Sequence, residues 1–173
     1  MGLITSLIWR NNGRTDDPDP DTGLTSRDRY LLKSTWQKLS KDSAATGIQI
    51  FLNLFEKEPK YHDLFPFRDI PWEDLPSCNR FKAHCVTLMY AFSSIIGNIE
   101  QPHLLRALLV KQAVAHVPRK VPDKAYWQLK EVLMEMFKPI MTNEELATWN
   151  KFLDLGLNLM VEAAGEARKN DLN

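Results

Sequence analysis

Apolar residues recur along this chain at the three-and-four spacing of helices, and no stretch keeps the two-residue alternation of a half-buried strand. The first run opens at Thr25, where Thr25 and Asp28 form a capping-box pair ahead of Leu32, Trp36 and Leu39. A second follows Ser43, with Ala44, Ile48, Phe51, Leu52 and Phe55 at helical spacing, and stops near Glu58 because Pro59 disfavours helical backbone before it. A short helix from Pro59 leads into Leu64-Phe65-Pro66-Phe67 and a proline-punctuated loop to Pro76. The long segment from Cys78 to Ile99 aligns Phe81, Cys85, Leu88, Phe92 and Ile95, with His84 bordering that stripe. Beyond Gln101-Pro102, Leu105, Leu108 and Leu109 mark a helix from about Leu104 to His116, closed by Pro118 and Pro122. Tyr126, Leu129, Leu133 and Met136 mark the next, which Pro139 ends. Thr142 and Glu145 form a second capping box before a last helix carrying Leu146, Trp149, Leu153, Leu157, Met160 and Ala164. The pattern predicts an all-α domain of about seven to eight helices over residues 25–168. Residues 1–24 are expected to be a disordered extension and 169–173 a tail.

Composition narrows the function classes. The 173 residues suffice for one domain with a sizeable core. Lys plus Arg and Asp plus Glu stand at 22 each, so the basic excess that phosphate binding needs is missing. Cys78 and Cys85 are the two cysteines and make no disulfide framework. On one helix they stand roughly 10 Å apart at 1.5 Å rise per residue, beyond disulfide reach. No apolar run is long enough to span a membrane, and the start lacks the pattern of a secretory leader, so a cytoplasmic chain is expected. The opening MGLITSLIWR matches the N-myristoylation pattern M-G-x-x-x-[ST], with Gly2 as acceptor and Ser6 in the required place. One such chain gives only reversible membrane binding. Arg10 and Arg14 add a thin basic patch, opposed by Asp16, Asp17, Asp19 and Asp21. Weak peripheral attachment at the inner face of the plasma membrane is the expectation. Residues 11–23, polar and rich in Pro, Gly and Asp, read as a disordered linker.

The chemistry-bearing pair is His84 and His116. Each sits on an apolar helical face, and a helix break separates them. Histidine is the commonest metal ligand in its neutral form. Two of them aimed at one apolar interior suggest a site for a flat, apolar, metal-bearing group. Taken singly, His116 also reads as a cation closing a helix C-terminus, and His84 as a hydrogen-bonded core histidine. His62 and His103 fall on segments expected to be exposed.

Trp36, then Gly47-x-x-Ile50-x-x-x-Leu54-Phe55-x-x-x-Pro59, then Phe65, resembles the first three helices and the following corner of the globin family. From there His84 falls where globins place the distal histidine and His116 where they place the proximal one, with Val121 and Tyr126 following. The 32-residue interval between the histidines is similar to that of neuroglobin, cytoglobin and the globin X group. Phe67-Arg68-Asp69 and the N-terminal extension lean towards globin X-like invertebrate members. The resemblance covers residues 25 to about 168 and implies a globin fold enclosing haem b, iron protoporphyrin IX.

That resemblance assigns roles. His116 would be the proximal iron ligand. His84 would face the other side, either hydrogen-bonding a bound gas or ligating the iron itself, and the bis-histidyl habit of neuroglobin and globin X favours ligation. Phe65 would stack on the porphyrin, with Phe51 and Leu88 as the distal wall. Gly47 and Cys85 would meet at a helix crossing, which the cysteine is expected to widen. Gln112 stands where globins usually carry Leu, and a polar group there must find a partner. Thr87 stands where a basic residue often lies near a haem propionate, leaving that role to Arg119 or Lys120. The implied function is a haem-binding globin for O2, NO or CO, with an electron-transfer or redox-signalling role in the bis-histidyl form. Nitrite reduction or NO dioxygenation would require a reductant that the sequence does not name. A haem-free helical signalling domain on a globin frame is the alternative; Gln112 leans towards it and His116 against it.

Overall fold

A computed structural model of the protein describes residues 17–170. Among them stand six α-helices and no strand: α1 (Ser26–Leu39), α2 (Ser43–Lys57), α3 (Asn79–Gly97), α4 (Pro102–His116), α5 (Asp123–Phe137) and α6 (Asn143–Asn170). Short 3-10 segments at Ser40–Asp42, Pro59–Leu64, Trp72–Ser77 and Val117–Arg119 join them. The helices expected from periodicity are these six plus the Pro59–Leu64 segment.

The local signals act as their chemistry dictates. Thr25 Oγ1 accepts from the Asp28 amide at 3.0 Å and the Asp28 carboxylate accepts from the Thr25 amide at 2.9 Å, fixing the start of α1. Thr142 and Glu145 repeat the exchange ahead of α6, at 3.2 and 2.8 Å. Pro102 occupies the first turn of α4, where its missing N–H costs nothing, so that helix begins two residues before the apolar pattern does.

Both ends of the expected domain move outward. The chain is already ordered before Thr25, within the stretch read as a linker. The Asp19 carboxylate accepts from the amides of Asp21 and Thr22 at 3.1 and 2.8 Å, and Gly23 takes a positive φ of 68° to close the turn. That turn delivers Leu24 fully buried into the core, a placement that contributes about 1.5–3 kcal/mol. A composition average does not register one anchoring leucine. At the other end α6 runs to Asn170, two residues into the expected tail. Gly2 and Ser6 lie outside the described residues.

Two apolar clusters fill the fold. One gathers Leu24 from the turn before α1 with Leu32, Trp36, Met89, Leu105, Leu133, Trp149 and Phe152 from α1 and from α3 to α6. The other gathers Phe51, Phe55, Tyr61, Phe67, Leu75, Phe81 and Cys85 from α2, the segment after it and the start of α3, with Ala125 and Val132 from α5. The α2–α3 crossing belongs to the second. A Cβ on Gly47 would sit 2.6 Å from the Cys85 carbonyl oxygen, so the backbones touch there and the crossing is not widened.

Candidate functional site

His84 lies in the first half of α3, half-buried among three phenylalanine rings. Its ring centroid is 4.9 Å from Phe51 on α2, 4.9 Å from Phe65 and 5.9 Å from Phe67, each in edge-on geometry. Phe65 and Phe67 stack on each other at 5.2 Å. Burial above all, with the Arg119 guanidinium adding to it, pushes the His84 pKa down to about 4. At neutral pH it is an uncharged imidazole. Among the described residues no group hydrogen-bonds its ring.

His116 is the last residue of α4. Its Nδ1 lies 2.7 Å from the Gln112 carbonyl one turn back. With Nδ1–H donating there, the lone pair of Nε2 is left for another partner, the arrangement that orients a metal-ligating histidine. The Tyr126 ring stands 5.8 Å away in edge-on contact. Burial, followed by the nearby Asp123 carboxylate, pushes the Tyr126 phenol pKa up and keeps it protonated.

The remaining expected residues divide. Leu88 and Val121 pack on the phenylalanine cluster, with Phe51 and Phe65. Arg119 is exposed, and its guanidinium donates to the Ala115 carbonyl at the end of α4. Thr87 is exposed and bonds back to the Ala83 carbonyl at 2.8 Å. The Gln112 side chain is half-buried, and its amide is not among the buried groups left without a partner.

His62 departs from its expected exposure. It is half-buried, its Nε2 lies 3.2 Å from the Phe67 carbonyl, and its ring stands 5.3 Å from that of Phe55. The tight turn through Phe65-Pro66-Phe67 folds the chain back over it. His103 is exposed as expected. Phe67, fully buried beside His84, was visible only as part of a motif. Two aromatics two residues apart outside a helix give no periodicity to read. The buried contacts from Tyr61 to Gln128 and from Gln128 to Glu58 likewise had no signal, because their partners are some 70 residues apart.

Comparison with known proteins agrees with this arrangement. A globin family model matches residues 48–158, more than half of the chain. The Globin-2 A chain of Anadara inaequivalvis is 29% identical over 113 residues, covering 65% of this chain and 74% of that one. Neuroglobin-2 of Oncorhynchus mykiss is 26% identical over 117 residues, covering 66% and 74%. A solved structure of the Drosophila melanogaster hexa-coordinate haemoglobin matches with a TM-score of 0.77 and 29% identity, over 80% of this chain and 94% of that one. The helix order and the match across most of the helices lead to one conclusion: the chain belongs to the globin family.

Proposed function

We propose that this chain holds haem b between His116 and His84, and that His84 is itself a ligand to the iron in the absence of an added ligand. The observation that carries the reading is the state of His84: a neutral, half-buried imidazole with no hydrogen-bond partner among the described residues, held edge-on by three phenylalanines. The donor set fits the group. Two imidazoles are available, one oriented by its own helix carbonyl, and the surrounding wall of Phe51, Phe65 and Leu88 is apolar. The two cysteines stand seven residues apart, not at the C-x-x-C-H spacing of covalent haem attachment, which supports a non-covalent group. The Drosophila relative's description as a hexa-coordinate haemoglobin that binds cyanide supports the same reading.

Haem iron supplies a redox-active metal with a position for a diatomic ligand. The chain supplies the rest. His116 is fixed in tautomer and direction by Gln112. Phe51, Phe65 and Phe67 exclude water from the His84 side and limit how far that ring swings. With haem bound, a small ligand such as O2, NO or CO would compete with the His84 ring, and the phenylalanine cage would set the balance between ligand binding and electron transfer with a reductant. Titrating the haem-free chain with haem tests the reading: a one-to-one Soret band is expected. His116→Ala should weaken binding by more than the about 10–100-fold typical of an outer-shell change. No Soret band in the wild type would overturn it.

For the N-terminus we propose acylation at Gly2 and weak attachment to the cytoplasmic face of a membrane, supported by the sequence match alone. Membrane partitioning in cells should fall on Gly2→Ala, and partitioning that survives it would refute the assignment.

A further inference from the structure

The corner that carries Phe65 and Phe67 is tied to α3 by one charged side chain. Arg80 stands in the first turn of α3, one helical turn before His84. Its Nη1 donates to the Pro66 carbonyl at 2.9 Å, and its Nη2 donates to the two oxygens of the Asp69 carboxylate at 3.1 and 2.8 Å. The corner's other polar contacts stay within its own stretch of chain. The Arg68 amide donates to the Phe65 carbonyl at 3.1 Å and the Ile70 amide to the Phe67 carbonyl at 3.0 Å. His62 Nε2 lies 3.2 Å from that same Phe67 carbonyl. Among the described residues, Arg80 supplies the hydrogen bonds that join this corner to α3.

The point of attachment sits between the two rings. Pro66 separates Phe65 from Phe67 and its own φ is fixed, so a shift of its carbonyl carries both neighbours. Both rings stand edge-on to His84, at 4.9 and 5.9 Å, and Phe67 also meets Phe81 of α3 at 5.2 Å. Apolar contact of this kind is non-directional, whereas the guanidinium donates in fixed directions and sets the register of the corner against α3. Hydrogen bonding to Arg80 above all holds the Asp69 carboxyl below its usual range, so the clasp is charged at neutral pH. It is also open to water, with 53% of the Arg80 side chain and 62% of that of Asp69 exposed. Dissolved salt therefore reaches and screens it.

We infer that Arg80 is a positioning residue for His84: by fixing the Phe65–Phe67 corner on α3, it sets how readily the His84 ring swings out of its cage. The inference rests on the proposed ligation by His84 and assigns control of that ligation to a charged clasp at the surface. The effect passes through Phe65 and Phe67, because no group among the described residues hydrogen-bonds the His84 ring.

Rapid mixing of the reduced, haem-loaded protein with carbon monoxide tests this, since at saturating gas the binding rate levels off at the rate of His84 release. Arg80→Met keeps the stem and removes the donors. It should raise that plateau about three- to tenfold, the scale of an exposed charge-assisted hydrogen bond, and leave the split visible bands of the resting protein in place. Arg80→Lys should restore part of the loss. The wild-type plateau should rise between about 0.05 and 0.5 M potassium chloride, and Asp69→Asn should remove most of that rise. In the haem-free chain, hydrogen exchange at residues 65–70 should quicken in Arg80→Met, with α5 and α6 unchanged. Arg27→Met breaks a similarly exposed pair with Glu144, between α1 and α6, and should change neither readout. An unchanged plateau in Arg80→Met, unchanged exchange at the corner, or an equal rise in Arg27→Met would overturn the assignment. A wild-type rate that climbs with gas and never levels off would instead sink ligation by His84, and the role of the clasp with it.

Discussion

Gly47 shows what one residue decides. A Cβ there would meet the Cys85 backbone oxygen at 2.6 Å, and a backbone atom inside a helix cannot move aside. Gly47→Ala should cost about 1–3 kcal/mol by overpacking, read as a lowered denaturation midpoint. Gly165, inside α6 with nothing nearer than 4.0 Å, is the control: Gly165→Ala should stabilise by up to about 1 kcal/mol. That Gly47 and Cys85 meet was legible from their family positions, but the closeness was not. The size of a side chain does not report how near two backbones come. His84 gives a pH prediction. Its pKa falls from 6.5 in the open chain to about 4 in the fold. Between those values the unfolded chain binds more protons, so stability rises with pH. In the haem-free protein this contribution is complete above about pH 6.5 and is lost as pH falls towards 4. Urea midpoints at pH 7 and pH 5 should differ less in His84→Leu than in the wild type, and an equal difference would refute the assignment.

At the scale of elements, the helices were readable because their ends are marked by chemistry: two capping boxes and prolines at the boundaries. Asp28 does more than cap. It also accepts from Lys151 at 2.8 Å and Thr148 at 3.2 Å, tying the start of α1 to α6. Burial opposes its ionisation, yet the hydrogen bonds from Lys151 and Thr25 outweigh it and hold the carboxyl below its usual range. Asp28→Ala should therefore cost about 1–3 kcal/mol, more than an exposed cap alone. The wild-type contribution should fade as pH drops through that lowered value. A loss no greater than that of Glu145→Ala, whose bonds stay within its own capping box, would contradict the cross-helix role. The Asp19–Gly23 turn and the burial of Phe67 were not readable, for a shared reason. Each is held by one specific side chain, a carboxylate or an aromatic ring, in a segment whose average composition is that of a loop.

At the scale of the molecule, α3 carries His84 on the phenylalanine side and Met89, Ile95 and Ile96 in the other cluster. The histidine is thus mounted on a helix packed at both ends, while His116 closes α4. Sequence placed His84 within α3 and His116 at the end of α4, and named Phe51, Phe65, Leu88 and Val121, which share one apolar cluster. It left open whether His84 has a hydrogen-bond partner, because that depends on every element that packs around it. The absorption spectrum of the reduced, ligand-free, haem-loaded protein tests the central claim most directly. The account predicts sharp, split visible bands in the wild type, replaced by one broad band in His84→Leu. A single broad band in the wild type, or split bands that persist in His84→Leu, would contradict it.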